Sequence, residues 1–298
     1  MKASDAKVVD ELVKGMFLAG SVAKSDVWPA KPQEPVLTTE EWDQQAQSLR
    51  NDMIRKIKAS KPDEKAHKEC WNKTIKDCDA GYTQGPFFTV EEVSQHVGSE
   101  DWVPTPRWPL VQHDKTRAID AGNLSRVNDL SGISEQLQLP STDLFITAIR
   151  SRLFFLGGNT HAESLRAWVI DEEHAYRGIG VHPSQKRFAV VAMKQPQTGK
   201  VAFFVMTGHA FGWTAAVYNY NRRSALLNEI LVKVFQVPSM SYYDDKFGLE
   251  PKEAVDHAHC AVQTIHEWLG AKFDAQKCQK GEKVLGVEYD LVDMMLRE

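Results

Sequence analysis

From Arg166 onward the sequence switches repeatedly between two-residue and helical periodicity, and this rhythm limits what the chain can fold into more than any other feature. "RAWVID" reads as a buried strand ending on Asp171, and "EEHAYRGIGVHP" as a turn and short helix. "KRFAVVAMK" and "VAFFVMT", joined by "QPQTG", predict a hairpin with a Pro/Gly turn. "FGWTAAVYNYNRRSALLNEILVKVF" predicts a long helix, with Trp213, Ala216, Val217 and Tyr220 at helical spacing. "SMSYYDDKFG" predicts a hairpin carrying Asp244 and Asp245 together at its tip, because strand formers run up to the acids and turn signals follow them. A helix through "PKEAVDHAHCAVQTIHEWLG" and a strand pair in "EKVLGVEYDL" complete the order. That order predicts an α+β fold, a sheet with helices packed on one face.

The N-terminal half is less regular. Residues 1–35 end in "VWPAKPQEP", with prolines at 29, 32 and 35, and read as a flexible tail. A helical region is expected over 36–100. Thr38-Thr39-Glu40-Glu41 has the chemistry of a helix start, Gly81, Gly85 and Pro86 interrupt, and Thr89–Glu92 begins a short helix. Pro104, Pro106 and Pro109 force an extended path, followed by a strand at Arg117–Asp120 and a helix from Ser141 to about Phe154. With 42% hydrophobic and 26% charged residues in 298, the chain has an ordinary globular composition and room for one large domain or two. It has no run of about 18 apolar residues, so no membrane span is expected. The first seven residues do not resemble a secretory signal, and four irregularly spaced cysteines favour free thiols. An intracellular protein, cytoplasmic or nuclear, is the resulting expectation. A net charge of -4 gives no global signal for nucleic acid, and the basic run from Arg55 to Lys68 reads first as a solvated helix face.

The chemistry centres on the acids. Asp244 and Asp245 together are compatible with a plain surface turn or with a Mg²⁺ site, since hard cations take carboxylate oxygens. Asp171 ends another predicted strand. Strands far apart in sequence can be sheet neighbours, and carboxylates brought together this way can hold two Mg²⁺ ions about 3.5–4 Å apart for in-line phosphoryl transfer.

At this point the motif order from about Trp102 to Tyr289 resembles the fingers and palm of reverse transcriptases, the RNA-directed DNA polymerases of retroelements. "KTRAID" followed by "SRVN" resembles their triphosphate-contacting fingers motif, "DEEHAY" the first palm motif, and "HAFGWTAAV" the glycine-opened helix under the nucleotide. "YYDD" resembles the Tyr-x-Asp-Asp motif, and "DAQKCQKGEKVLGVEYD" the lysine-bearing segment and Leu-Gly primer-grip hairpin. The resemblance implies a right-hand polymerase fold, with fingers over 101–165 and an antiparallel palm sheet backed by helices over 166–298, and no thumb within the sequence. It also implies a fragment of a longer polyprotein or a truncated copy.

The site implied is correspondingly specific. Asp171, Asp244 and Asp245 would bind two Mg²⁺ ions, with Mn²⁺ as a substitute, and Lys277 (or Lys280) would protonate the pyrophosphate. Lys115 and Arg117, on one face of their strand by alternation, would bind the triphosphate of a dNTP. Tyr176 would exclude a 2′-OH. Phe211 and Gly212 would lie against the nucleotide, Phe211 standing where retroviral patterns carry Gln, and Leu285 and Gly286 would position the primer. Asp120 and Asn128 are expected to hold the fingers turn. The partners implied are an RNA template and a DNA or RNA primer, with no membrane. The alternative is an inactive, truncated remnant that binds nucleic acid or a protein partner. A zinc site from His257, His259, Cys260 and His266 fails on helical spacing.

Overall fold

Leu165–Glu173 is the strand around which one half of the molecule is organised. In the computed structural model, which describes residues 4–112, 115–155, 165–273, 278–281, 283–290 and 295–297, the chain is α+β and divides into two compact units. One comprises Met1–Asp5, Leu137–Ala175 and Asn221–Glu298, the other Ala6–Gln136 and Tyr176–Tyr220.

In the first unit the Leu165–Glu173 strand pairs antiparallel with Asp245–Pro251, Lys272–Phe273 and Gln279–Gly281, and Met240–Tyr242 extends the sheet at the edge. Side chains alternate across a strand, so its two faces enter different cores. Trp168 and Ile170 pack on Leu227 and Leu231 of the Thr214–Val234 helix and on Val255, Ala258 and Val262 of the Val255–Trp268 helix. Leu165 and Ala167, with Phe247 and Leu249, pack on Phe145 and Ile149 of the Thr142–Phe155 helix. The expected strand ending on Asp171 therefore runs two residues further, to Glu173.

In the second unit a five-stranded sheet has the order Thr83–Phe87, Val201–Met206, Val190–Lys194, Thr105–Gln112, Lys115–Asp120, with the third and fourth strands parallel. Val190 and Ala192 face one core and Val191 and Met193 another, which explains the unbroken apolar run there. The helix starts are as the sequence indicates. Thr38 caps Thr39–Ala59 and Thr89 caps Val90–Val97, each in a capping box with Glu41 and Glu92. The helical region from Thr39 is two helices, however, with a break at 60–63 before Glu64–Asp79.

Three expectations are corrected. Residues 1–35 are not a tail over their described length. Val8–Lys14 is helical, Gly20–Ser21 and Ala30–Gln33 flank the Ser131–Glu135 strand, and Val8, Met16 and Leu18 are buried. Scattered charge and three prolines concealed a small apolar set, and Pro32 fits because it lies in an edge strand. The 101–165 and 166–298 division also fails. Residues 176–220, including the Val190–Lys194/Val201–Met206 hairpin, belong with 6–136, while the Thr142–Phe155 helix belongs with the Leu165–Glu173 strand. Finally, the tip of the acidic hairpin is Tyr243-Asp244, whereas Asp245, Phe247 and Gly248 lie in the returning strand.

Candidate active site

The acidic hairpin closes through a two-residue turn with Tyr242 paired to Asp245 and Tyr243 in the left-handed region at φ 52°. The returning strand then runs along Leu165–Glu173 in a register that sets Asp245 directly opposite Asp171. Residues facing each other across antiparallel strands share one face of the sheet, with Cβ atoms about 4.5–5.5 Å apart. The structure thus pairs Asp171 with Asp245, and Asp244 sits in the turn, its carbonyl accepting from the Glu172 N–H at 3.4 Å. Asp244 is exposed, and Asp171 and Asp245 are half-buried.

Like charges directly opposite on a sheet disfavour one another, and an oxygen-only set of this kind suits a hard cation. Among the described residues, no group of three or more His, Cys, Asp and Glu is placed to hold a metal ion. Mg²⁺ commonly binds through one or two carboxylates, with water and substrate phosphates completing its shell, so the donor chemistry of the Asp171–Asp245 pair fits that ion.

Alternation sends the neighbouring side chains to the other face of the sheet, against the Thr214–Val234 helix, where there is a charged layer that the sequence reading missed. Lys246 is fully buried; its Nζ donates to Ser241 Oγ at 3.0 Å and to Ser224 Oγ. Burial pushes the amine down to about 7, against the pull of Glu172 and, more weakly, Asp244 and Asp245, while Arg223 pushes it further down. Glu172 and Arg223, both buried, form an ion pair. Asn228 donates to Ser241 Oγ at 2.9 Å and accepts from Ser239 Oγ at 2.8 Å. The sequence signal for this layer is a charge on the inward phase of an apolar stretch: Lys246 next to Phe247, and Arg223 within a helix whose Leu227 and Leu231 are core.

The remaining residues of the first unit divide sharply. Leu285 and Gly286 form the turn of the Lys283–Val284/Val287–Asp290 hairpin, with φ 53° and 81°. Lys277 lies outside the described residues, and Lys280 is in the strand paired opposite Trp168. His266 is buried, donates from Nδ1 to the Val262 carbonyl at 2.8 Å, and is pushed by burial down to about 3.

In the second unit Lys115 and Arg117 are both exposed on one face of an edge strand, across from Gln112 and Leu110. Asp120, at the end of that strand, is buried and accepts two hydrogen bonds from Arg107, at 2.7 and 2.9 Å. Asn128 donates to the Gly212 carbonyl at 3.0 Å and accepts from the Thr214 N–H at 2.9 Å. Asp120 thus pairs with the neighbouring strand, and Asn128 secures the start of the Thr214–Val234 helix. Gly212 has φ 104°, and a Cβ there would stand 2.1 Å from the Asp120 carbonyl oxygen, so close packing alone demands glycine. Tyr176, on the short Ala175–Gly178 helix, packs its ring against Phe211 at 5.9 Å and Tyr220 at 5.2 Å between centroids. Phe211 remains 45% exposed, which leaves an aromatic face available to a ligand.

No protein-family model matches the chain, and no curated protein matches it.

Proposed function

We propose that the chain is an RNA-directed DNA polymerase, adding dNTPs to a primer 3′-OH on an RNA template, with a fingers–palm organisation of reverse-transcriptase kind. The observation that carries this reading is the facing pair Asp171–Asp245, with Asp244 in the adjoining turn, on an antiparallel sheet backed by helices. Those three carboxylates would hold Mg²⁺, or Mn²⁺ in its place. When bound, such ions lower the pKa of an attacking hydroxyl and stabilise the departing pyrophosphate. Lys115 and Arg117 bind the triphosphate, Lys as a compact cation and Arg as a planar fork. Tyr176 stands against a ribose 2′-OH, its ring held by Phe211 and Tyr220. Lys277 supplies a proton to the pyrophosphate, and Leu285 and Gly286 guide the primer.

Primer extension on an RNA template with dNTPs and Mg²⁺, comparing the wild type with Asp171→Asn and Asp245→Asn, tests the reading. Extension by the wild type and its loss in both variants is expected. A folded wild-type protein that extends nothing would overturn the reading in favour of a catalytically inactive protein that binds nucleic acid or a protein partner.

A further inference from the structure

The second unit contains a chain of four charges, buried or nearly so, that has no part in the reaction just described. Arg177 directly follows Tyr176, and its guanidinium pairs with Asp77 of the Glu64–Asp79 helix. The same Asp77 oxygen lies 4.0 Å from Arg107, which in turn holds Asp120 through its two hydrogen bonds. Asp120 ends the strand of Lys115 and Arg117, and its N–H donates to the Phe211 carbonyl at 3.2 Å. Two arginines and two aspartates thus join the elements that bear Lys115 and Arg117, Tyr176 and Phe211.

The main chain after Tyr176 is held as well. The Val181 N–H donates to the Thr207 carbonyl at 2.8 Å, and the His209 N–H to the Ile179 carbonyl at 2.9 Å. Between these bonds a Cβ at Gly208 would stand 2.0 Å from the Arg177 carbonyl oxygen, so two backbones meet there with no room for a side chain. The Arg177–Asp77 pair ties the same segment to a helix far earlier in the chain. An ion pair taken out of water is a weak source of net stability compared with apolar packing, but losing one partner strands the other charge. Such a pair suits the fixing of one geometry.

Resting on the reading of Tyr176 as the residue that excludes a 2′-OH, we infer that Arg177 and Asp77 are positioning residues for sugar selection. They hold the chain at Tyr176 so that its ring, packed on Phe211 and Tyr220, keeps a fixed distance from the sugar. A misplacement of about 1 Å is enough to change what such a contact admits. Withdrawing either partner lets the ring retreat, and the site then accepts a ribonucleotide more readily while its use of deoxynucleotides changes less.

Single-nucleotide incorporation by the full chain on an RNA template, with kcat and KM measured separately for dNTP and rNTP, tests this. The variants are Arg177→Met, Asp77→Asn and Arg177→Lys, the last keeping the charge should the others fold poorly. Each is also made together with Tyr176→Ala, and circular dichroism checks folding. An rNTP-to-dNTP ratio of kcat/KM about fivefold above wild type is expected in Arg177→Met and Asp77→Asn, and about twofold in Arg177→Lys, with no further rise beyond Tyr176→Ala in the double variants. Equal falls for dNTP and rNTP, with the ratio unchanged, mark a merely structural pair; they overturn the inference and leave the polymerase reading intact. A rise that adds in full to that of Tyr176→Ala also overturns it, because the pair then acts other than through the ring. No incorporation by the folded wild type overturns both.

Discussion

Replacing Gly248 with alanine would strain the sheet that carries the acidic pair. The added Cβ would lie 2.4 Å from the Pro238 carbonyl oxygen and 2.4 and 2.5 Å from Cζ2 and Cε2 of Trp168, its cross-strand partner. Neither neighbour can swing aside. One is backbone, and the other is an indole with no exposed surface, packed among helix residues. Extra methylenes in a filled core typically cost about 1–3 kcal/mol, and two rigid contacts put Gly248→Ala at about 3 kcal/mol. For a chain of 298 residues that corresponds to a fall in Tm of roughly 5 °C. Thermal melts followed by circular dichroism would measure it. Gly178→Ala serves as the control, because a Cβ there meets nothing within 4 Å and the change should be near neutral. Adding Trp168→Phe removes the benzo ring from one of the two clashes, so the double variant should lose less than the sum of the singles. Equal stability of Gly248→Ala and Gly178→Ala would refute the argument.

Three further outcomes follow from the packing. Arg223→Met withdraws the guanidinium that neutralises buried Glu172 and should cost about 3 kcal/mol in urea unfolding, with Glu172→Gln in the same chain recovering part of it. His209 is fully buried, donates from Nδ1 to the Ile179 carbonyl at 2.9 Å and accepts from Asn219 at 2.9 Å, and burial pushes it down to about 4. The unfolded chain takes up this proton near pH 6.5 and the folded chain only near 4, so the stability is full above 6.5. Roughly 3 kcal/mol is then lost as the pH falls to 4, and His209→Asn should flatten that slope in urea titrations at pH 7, 5.5 and 4.5. Tyr176→Ala should raise the use of rNTPs relative to dNTPs by tenfold or more in single-nucleotide incorporation, and an unchanged ratio would remove Tyr176 from sugar selection.

What could be read from the sequence was what local chemistry decides. Thr38 and Thr89 announce their helices because a cap needs only the next three residues. The Thr214–Val234 helix is legible from its apolar spacing, and Asp171 and the Tyr-Asp-Asp turn from their strand contexts. What depends on register was not legible. Whether Asp244 or Asp245 faces Asp171 turns on a one-residue placement of the turn, and such a step flips every side chain that follows. Phe247-Gly248 looked like a turn signal because glycine usually marks one. Here Gly248 makes room for a tryptophan that lies 80 positions earlier in the chain. Lys246 was overlooked for a related reason: beside two aspartates a lysine reads as surface charge, and only alternation within a strand turns it inward.

The interleaving of the two units has a consequence for how the protein is made. The Leu165–Glu173 strand cannot acquire its neighbours until residues 245–251 and 279–281 have been synthesised, and Asp5 waits for Arg222 before its buried ion pair can close. Residues 6–136 likewise need 190–206 to complete their sheet. On the ribosome, then, the second unit has all of its residues once Tyr220 is made, while the first, begun earlier, waits for the end of the chain. A chain emerging in this way holds unpaired strand edges for much of its synthesis, which makes folding slow and exposed to aggregation. No single cut releases either unit whole, so a shortened chain is expected to fold less completely than the full chain.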